Sequence, residues 1–519
     1  MPHPDPLVHR RRWWILAVLI LSLFTVNLDN TILNVALPTL ALGLHASLSQ
    51  LQWIIDAYVL VFAGLLLVAG ALGDRFGRRR VLVVGLVIFG AGAVTSAFAP
   101  SADILIPLRA LMGLGGALIT PSTLSITRHV FTAEERPRAI AVWTATAGLG
   151  IVAGPVIAGV LLDHFAWGSI FLINVPVVIA ALVGIAVLIP EFRSSESPRL
   201  DVMGAILSVG TLVGLVYGTI EAPAAGWTEP RILAALGLAL VLAVAFVAHE
   251  LCTADPMIDL RIFRRRALAG GTLAVLLSSL GMKGSMFFLS VYLQSVVGFT
   301  TLETGLGVLP LAVGMALASA GSALGWRRLG ARITVVTGMA GVAAGLVLLA
   351  QSTPTSGYPI AALAMFALGA GMGLAASPVT FLMIQAIPAS RAGVASAVNS
   401  TARELGGALG VAILGSISAP VYASGVHAAA AALPVDAGTY VSGSLPGALE
   451  VAAHLPAPVS DGLATMARAA FIHGMTGAVV LGAFVALAGA VTAALTLPGR
   501  AATIAAAATP SIAVEARAA

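Results

Sequence analysis

Long apolar segments recur along the whole chain, and they constrain its fold more than any other feature of the sequence. A helix needs about 20 predominantly apolar residues to cross the hydrocarbon core of a bilayer. Each segment is expected to be helical, because lipid offers no water to a loose backbone. We therefore predict an all-α membrane protein with 14 transmembrane helices, at 14–37, 51–72, 81–99, 103–125, 139–161, 168–189, 202–220, 231–249, 268–295, 304–325, 332–351, 359–383, 392–418 and 469–496.

The composition supports a membrane protein and argues against several other classes. Apolar residues make up 59% of the chain and charged residues only 9%, against about a quarter in a soluble domain. The net charge of +5 does not indicate nucleic-acid binding, because the arginines form short clusters between apolar runs and no basic face. No Cys/His spacing is typical of a metal site, and no GxxxxGK[ST] loop indicates ATP hydrolysis. We expect no enzymatic activity, no metal and no organic cofactor.

The basic residues alternate between the two sides of the predicted spans and so predict the orientation of the chain. Connections rich in arginine stay on the cytoplasmic side of a membrane. Both termini are therefore predicted to be cytoplasmic, in a multi-pass protein of the cell (inner) membrane. The basic connections contain Arg10–Arg12, Arg75, Arg78–Arg80, Arg128, Arg136, Arg138, Arg193, Arg199, Arg261, Arg264–Arg266, Arg327, Arg328, Arg332, Arg391, Arg500 and Arg517.

Two stretches outside the spans are longer than a simple turn. Residues 419–468 are rich in Ala, Gly, Ser and Pro. We predict that they form a long loop on the outside, with 446–455 and 461–470 as candidate short helices. The Ala-rich residues 498–519 are predicted to be a disordered cytoplasmic tail.

A motif rich in glycine and arginine stands between the second and third spans. It reads Gly70-Ala-Leu-Gly73-Asp74-Arg75-Phe-Gly77-Arg78-Arg79-Arg80. Gly77 permits a tight turn, and Asp74 can lie near the next helix N-terminus or pair with Arg78. A loop that only sets the orientation would need the arginines alone. The spacing of glycine, aspartate and arginine together indicates a more specific motif.

Small residues form stripes along the next two spans. Span 4 contains Leu105-Ile-Pro-Leu-Arg109-Ala-Leu-Met112-Gly113-Leu-Gly115-Gly116-Ala117, and span 5 contains Gly150-Ile-Val-Ala-Gly154-Pro155-Val-Ile-Ala-Gly159. A proline within such a stripe predicts a kinked helix that packs closely against its neighbours.

In this order, the three motifs resemble the signatures of the major facilitator superfamily. They are similar to its GxLaDrxGRr loop, its RxxqGxgaa motif with Met112 in place of glutamine, and the gxxxGPxxGG motif of its exporting branch with Ala158 in place of one glycine. Fourteen spans, Asp29 in span 1, Trp53-Ile-Ile-Asp56-Ala-Tyr58 in span 2 and Arg403-Glu404 in span 13 resemble the fourteen-helix drug:proton antiporter family. Within that family the chain is similar to quaternary-ammonium and multidrug efflux pumps.

The resemblance implies an architecture and roles for the motifs. Two six-helix bundles are expected at 1–195 and 267–497, with spans 7 and 8 inserted at 196–266. A degenerate signature, Gly321-Ser-Ala-Leu-Gly325-Trp-Arg327-Arg328-Leu-Gly330, stands at the corresponding place in the second half and indicates an internal duplication. The implied cytoplasmic gate comprises Gly70, Gly73, Asp74, Arg75, Gly77, Arg78 and Arg79, and the implied antiporter motif comprises Gly150, Gly154, Pro155 and Gly159.

Ionisable residues within the spans are candidate functional residues, because a charge in a membrane is costly. At about 1.5 Å per residue, four of them are predicted to lie at one level. Asp29 is our first choice for the proton carrier and Asp56 for the partner of a cationic substrate. A static Asp29–Arg109 ion pair is the alternative. Lys283 could neutralise Glu404, bind an anionic group of the substrate or extend outward. The six residues are Asp29, Asp56, Arg109, Lys283, Arg403 and Glu404.

Aromatic residues near the same level could stack a flat cation, although core packing or an interfacial belt explains them equally well. They are Trp53, Tyr58, Phe287, Phe288 and Tyr292.

Three functional hypotheses follow. The first is a monomeric exporter of lipophilic, cationic drugs or antibiotics in exchange for protons, with protons as the only coupling ion. The second is a proton-coupled importer of an organic ion, against which the exporting motif argues through the family alone. The third is a membrane sensor or scaffold, which would not need charges at the centre of the membrane.

Overall fold

The computed structural model describes residues 10–132, 135–191, 201–253, 256–385 and 392–499. Within these ranges the chain is almost entirely helical and holds no β-strand, which confirms the predicted all-α class. A 3₁₀-helix at Leu260–Arg264 and a π-helix at Tyr292–Val297 accompany the α-helices. The α-helices are α1 (Arg12–Gly43), α2 (Leu48–Phe76), α3 (Arg78–Ala97), α4 (Ala102–Val130), α5 (Arg136–His164), α6 (Ser169–Leu172), α7 (Asn174–Leu188), α8 (Val202–Ala225), α9 (Pro230–Cys252), α10 (Arg266–Val291), α11 (Thr301–Gly307), α12 (Leu309–Leu329), α13 (Ala331–Ala350), α14 (Tyr358–Gln385), α15 (Ala392–Ala431), α16 (Val435–Gly443), α17 (Leu445–Ala453) and α18 (Ala457–Thr496).

Most of these helices have the length and hydropathy of a membrane span. Among the described residues, 13 helical segments are long and apolar enough to cross a bilayer. Helix α5, at the place of the predicted fifth span, adds the shorter apolar stretch Ala153–His164. The chain is therefore a multi-pass membrane protein, while the count of fourteen spans stays a prediction.

The predicted connection at 419–468 is largely helical and contains more helix than the two short candidate pieces, while its outside position stays a prediction. Helix α15 continues from the predicted span 13 to Ala431, and α18 already begins at Ala457. The candidate short helix at 446–455 corresponds to α17, whereas 461–470 belongs to α18. Hydropathy marks where a chain leaves hydrocarbon, but it does not mark where a helix ends, and alanine is the strongest helix former.

The first of two compact units comprises the described residues up to Tyr217, with Ala234–Met257 and Gly298–Leu306. Within it, α2 and α3 both pack on α4, while α1 packs on α5 and α7. The absence of a side chain at Gly113 permits one of these close approaches, because a Cβ there would collide with the backbone carbonyl of Tyr58. Backbones therefore touch where α4 crosses α2.

The second unit comprises Gly218–Leu233, Ile258–Val297 and the described residues from Gly307 onward. Helices α12 and α13 both pack on α14, while α10 packs on α15 and α18. An apolar cluster between α10, α13, α14, α15 and α18 forms one of its cores and includes Leu268, Val275, Val335, Met339, Leu382, Met383 and Ala493.

The two units repeat the same packing pattern. In each, the second and third helices of a six-helix series pack on the fourth, and the first packs on the fifth and sixth. The third helix also begins in the same way in both units, after a glycine with positive φ: Gly77 at 104° and Gly330 at 89°. This repetition supports the internal duplication that the degenerate signature predicts.

Some predictions fall outside the described residues. They include the tail from residue 500 onward, the boundary between residues 195 and 196, and Arg193, Arg199, Arg391, Arg500 and Arg517. The division into two six-helix bundles and an inserted pair stays a prediction.

Candidate functional site

Asp29 of α1 and Arg109 of α4 form a sealed ion pair. Nη1 of Arg109 donates a hydrogen bond of 2.7 Å to Oδ2 of Asp29. The side chain of Arg109 is 2% exposed and that of Asp29 is 0% exposed. The sequence places these residues at one level of the membrane, and the structure brings them into contact. Ions buried this far from water are stabilised by each other, since each alone would carry a large desolvation cost.

Three further groups hold the guanidinium of Arg109 in place. Its Nε donates a 3.1 Å hydrogen bond to the carbonyl oxygen of Ile54 on α2. Its Cζ lies 4.5 Å from the ring centroid of Tyr58 and 5.9 Å from that of Phe171. The planar guanidinium can satisfy these directions at once, which the point charge of a lysine cannot. Arg109 therefore joins α1, α2 and α4 through a single side chain.

The sequence of α4 explains why Arg109 reaches the backbone of α2. Arg109 and Gly113 are four residues apart, so they lie on the same face of the helix. Because Gly113 touches the backbone at Tyr58, the two helices are close enough for Arg109 to bind the carbonyl one turn earlier, at Ile54.

Asp56 is fully buried on α2, but it lies on a different face from the Arg109 contact. Ile54 and Tyr58 share the face that meets Arg109. Asp56 is two residues from each of them, which corresponds to about 200° around a helix. The structure thus brings Asp29 and Arg109 together, and helix geometry assigns Asp56 to another face of α2.

Lys283 of α10 and Glu404 of α15 form a second ion pair. Nζ of Lys283 donates a hydrogen bond of 2.6 Å to Oε2 of Glu404. The side chains are 31% and 15% exposed, respectively, so this pair is more open than the first. Of the three alternatives for Lys283, the structure shows the pairing with Glu404. Arg403 is offset from Glu404 by about 100° around the helix.

The aromatic residues proposed to stack a substrate are mostly part of the protein core. Tyr58, Phe288 and Tyr292 are buried, in agreement with the core-packing alternative, and their role in stacking a substrate stays a prediction. Trp53 is half-buried, with its ring centroid 6.2 Å from that of Tyr217 on α8. A ring within a span gains contact area by packing on neighbouring helices, and sequence position alone does not distinguish such a ring from one that lines a cavity.

The signature motif folds into a glycine turn between α2 and α3. Gly77 has a φ of 104°, a backbone conformation that favours glycine. The backbone N–H of Arg79 donates a 3.1 Å hydrogen bond to Oε1 of Glu191, and Nε of Arg80 lies 3.7 Å from Oε2 of the same carboxylate. Glu191 thus binds the N-terminus of α3, where negative charge is favourable. Sequence reasoning missed Glu191 because it is 112 residues from Arg79.

The rest of this motif lies around the end of α2 and the start of α3. Nη1 of Arg78 donates to the carbonyl oxygen of Ser125 at 3.4 Å and contacts the ring of His129. A Cβ at Gly73 would lie 3.7 Å from Cγ of Arg78, in ordinary contact. The other motif residues, Gly70, Asp74 and Arg75, lie in the last turns of α2, and the Asp74 side chain is outside the described part of the structure.

The Gly-Pro motif of α5 contacts two other helices of the first unit. The hydroxyl of Thr31 on α1 donates a 2.8 Å hydrogen bond to the carbonyl oxygen of Gly150, and a Cβ at Gly154 would collide with the side chain of Thr31. A Cβ at Gly159 would lie 2.5 Å from Cα of Leu302 on α11, and one at Gly305 would collide with the carbonyl of Pro155. The stripe therefore permits close packing on both sides.

A polar cluster that sequence reasoning also missed lies where α8 begins and α9 ends. Oδ1 of Asp201 accepts hydrogen bonds from the Gly204 N–H at 2.7 Å and from Nε2 of His249 at 2.7 Å. Burial raises the pKa of Asp201, but the hydrogen bonds from Gly204, His249 and Glu250 and the charge of His249 outweigh it, so the pKa lies below its ordinary value. Asp201 thus caps α8 and ties it to α9.

The described residues contain no group of three or more His, Cys, Asp or Glu side chains that could hold a metal ion.

Comparison with known proteins places the chain among transporters. A sequence model described as Major Facilitator Superfamily matches residues 19–411. The chain is 38% identical over 483 residues to the multidrug efflux pump LfrA of Mycolicibacterium smegmatis, covering 92% of this chain and 95% of that protein. It is 34% identical over 465 residues to the methyl viologen resistance protein SmvA of Salmonella typhimurium, covering 89% of this chain and 93% of that protein.

Solved structures share the fold. A bacterial homolog of the human lysosomal transporter Spinster superimposes with a TM-score of 0.65 and 16% sequence identity, covering 96% of this chain and 100% of that one. At this identity the likeness concerns the fold alone. It agrees with the repeated helix packing of the two units.

Proposed function

This chain belongs to the Major Facilitator Superfamily, and from that membership we propose that it exports lipophilic, cationic drugs or antibiotics in exchange for protons. As a member it is a transporter of small molecules rather than an enzyme. The direction of transport, the charge of the substrate and the coupling to protons are the parts that we propose. We also propose that it acts as a monomer, with both termini in the cytoplasm.

The sealed Asp29–Arg109 ion pair is the observation on which we base the proposed proton coupling. Asp29 is the partner of a guanidinium that cannot release its own proton, so only the carboxylate can titrate. Protonation of Asp29 would remove the anion that holds Arg109 against α1, while the bond to the Ile54 carbonyl on α2 could persist. A proton would thereby loosen α1 from α4. Such a change biases the equilibrium between two arrangements of the helices, as alternating access requires.

The relatives support export and a cationic substrate. LfrA is described as a multidrug efflux pump, and SmvA as a methyl viologen resistance protein; methyl viologen is an organic dication. Asp56 and Glu404 supply further carboxylates within the helices, and an anion there offsets the cost of a cation in the membrane. Import of an organic ion remains the alternative in the same fold, and the direction of flux distinguishes the two.

Transport by purified protein in proteoliposomes tests the proposal. With an imposed pH gradient, wild type is expected to move tetraphenylphosphonium, a lipophilic cation, uphill against the flow of protons. Asp29→Asn is expected to abolish uphill transport while downhill equilibration continues, because asparagine keeps the volume but cannot titrate. Movement of the cation together with protons would indicate import. Full uphill transport by Asp29→Asn would show that the proton carrier is elsewhere, and Glu404 would then be tested.

A further inference from the structure

The Lys283–Glu404 pair differs from the Asp29–Arg109 pair in its accessibility. Lys283 is the only lysine of the sequence, and none of the motifs of the superfamily accounts for it. Its side chain is 31% exposed and that of Glu404 15%, against at most 2% for the sealed pair. A carboxylate that takes up a cation as large as a lipophilic drug has to be more open than one that takes up a proton, and Glu404 is more exposed than Asp29.

Close packing of α10 and α15 creates the place in which Lys283 lies. A Cβ at Gly406 would collide with the carbonyl of Leu276, and one at Gly410 with the carbonyl of Leu280. The two helices therefore meet backbone to backbone in the two turns of α10 that precede Lys283. This contact fixes the distance between the Cα atom of Lys283 and α15.

Gly407 leaves a groove on α15 for the lysine side chain. A Cβ at Gly407 would collide with Cδ of Lys283 and would lie 3.2 Å from its Cε and 3.2 Å from its Nζ. Gly407 and Glu404 are three residues apart, so they lie on the same face of the helix. The lysine stem crosses the glycine and delivers its ammonium to the carboxylate one turn earlier, at 2.6 Å.

We propose that Lys283 is a tethered counter-cation, which occupies the anionic site of Glu404 until a lipophilic cation takes its place. The inference rests on the proposed function and specifies it, since it assigns the cationic group of the substrate to Glu404. Lysine suits this role, because its ammonium is a compact charge on a flexible stem that can leave and return. Glu404 keeps a positive partner in both states, so its charge is never left alone within the span.

Competition between the two cations has a measurable consequence. Lys283 lowers the affinity of Glu404 for a cationic substrate and helps to release it. Lys283→Gln is therefore expected to bind tetraphenylphosphonium up to about fivefold more tightly, as for the loss of one modest ion pair, and to release it more slowly. Binding of triphenylphosphine oxide, a neutral analogue, should stay unchanged. Lys283→Arg keeps the charge and should stay close to wild type.

A substitution that leaves every charge in place tests the same proposal through the geometry of the groove. Gly407→Ala places a methyl group where the lysine stem lies, so it should loosen the pair and tighten tetraphenylphosphonium binding in the same direction, by less than Lys283→Gln. Gly477→Ala on α18 is the matched control, because a Cβ there meets nothing within 4 Å. This pair of variants keeps the test valid if Lys283→Gln does not fold.

Equilibrium binding to full-length protein in detergent, with the Glu404→Gln single variant and the Lys283→Gln/Glu404→Gln double variant, completes the experiment. If Lys283 acts through Glu404, its replacement changes nothing once Glu404 is glutamine. If wild type binds no tetraphenylphosphonium, the proposed cationic substrate is wrong, and this inference is overturned with it. If wild type binds the cation but Lys283→Gln and Gly407→Ala bind it no more tightly, the inference alone is overturned. An equal gain in the Glu404→Gln background would also overturn it.

Discussion

Single charged residues were predictable at the residue scale, whereas their charged partners were predictable only as alternatives and their backbone partners were not. The cost of a charge in the membrane singles out Asp29, Arg109 and Glu404 in the sequence. The carbonyl of Ile54 that binds Arg109 has no signature, because every residue carries one. Lys283 had three alternatives of equal weight, and its position over Gly407 decides between them.

Replacement of Asp29 and replacement of Arg109 are expected to lower the free energy of unfolding by different amounts. Asp29→Asn leaves a buried guanidinium that cannot become neutral, whereas Arg109→Gln leaves a carboxyl group that can take up a proton. Breaking a buried pair costs about 3–5 kcal/mol. Asp29→Asn should therefore lower the free energy of unfolding by an amount in this range and Arg109→Gln by less, measured by denaturant unfolding in detergent.

The double variant Asp29→Asn/Arg109→Gln serves as the control for this prediction. It removes both charges together, so it should be more stable than Asp29→Asn alone. A larger loss for Arg109→Gln than for Asp29→Asn would contradict the argument, as would a double variant whose losses simply add.

At the scale of helices, the existence of the elements was predictable and their ends were not. Apolar length located the spans, yet α15 and α18 extend well beyond the predicted apolar segments, to Ala431 and from Ala457. Contacts between distant segments settle other ends. Glu191 binds the start of α3, and Asp201 caps α8 while it binds His249 of α9. Sequence spacing carries no signal for such pairs.

The turn before α3 should depend on glycine. Gly77→Ala places a Cβ at a φ of 104°, and that Cβ would also collide with the carboxylate of Glu191. The cost of an unfavourable backbone conformation is about 1–3 kcal/mol, so the melting temperature in detergent should fall. Gly237→Ala, where a Cβ meets nothing within 4 Å, is the control and should be neutral. Equal stability of both variants would refute the role assigned to this turn.

At the scale of the whole chain, the internal duplication was predictable from one degenerate loop. The repeated packing order within the two units and the matching positive-φ glycines, Gly77 and Gly330, agree with it. Two similar halves that contain different ion pairs can serve different steps of transport. The sealed Asp29–Arg109 pair belongs to the first unit and the open Lys283–Glu404 pair to the second. We therefore propose that the first unit carries the proton-coupling carboxylate, Asp29, while Glu404 of the second unit acts with Asp56 of the first in binding the cation.

The orientation of the chain provides the last prediction. The distribution of arginine predicts that the end of α9 lies inside and the segment between α15 and α18 outside. The native Cys252, which is exposed at the end of α9, is a reporter for the inside. Val435, 84% exposed at the start of α16, is a suitable outside position, whereas Ser444 is buried at 3% exposure and would react poorly.

In intact cells, a membrane-impermeant maleimide should label Val435→Cys in a Cys252→Ser background and should leave Cys252 of the native protein unlabelled. After the membrane is permeabilised, both cysteines should react. Labelling of Cys252 in intact cells, together with protection of Val435→Cys, would show that the predicted orientation is inverted. The direction assigned to transport would then be wrong as well.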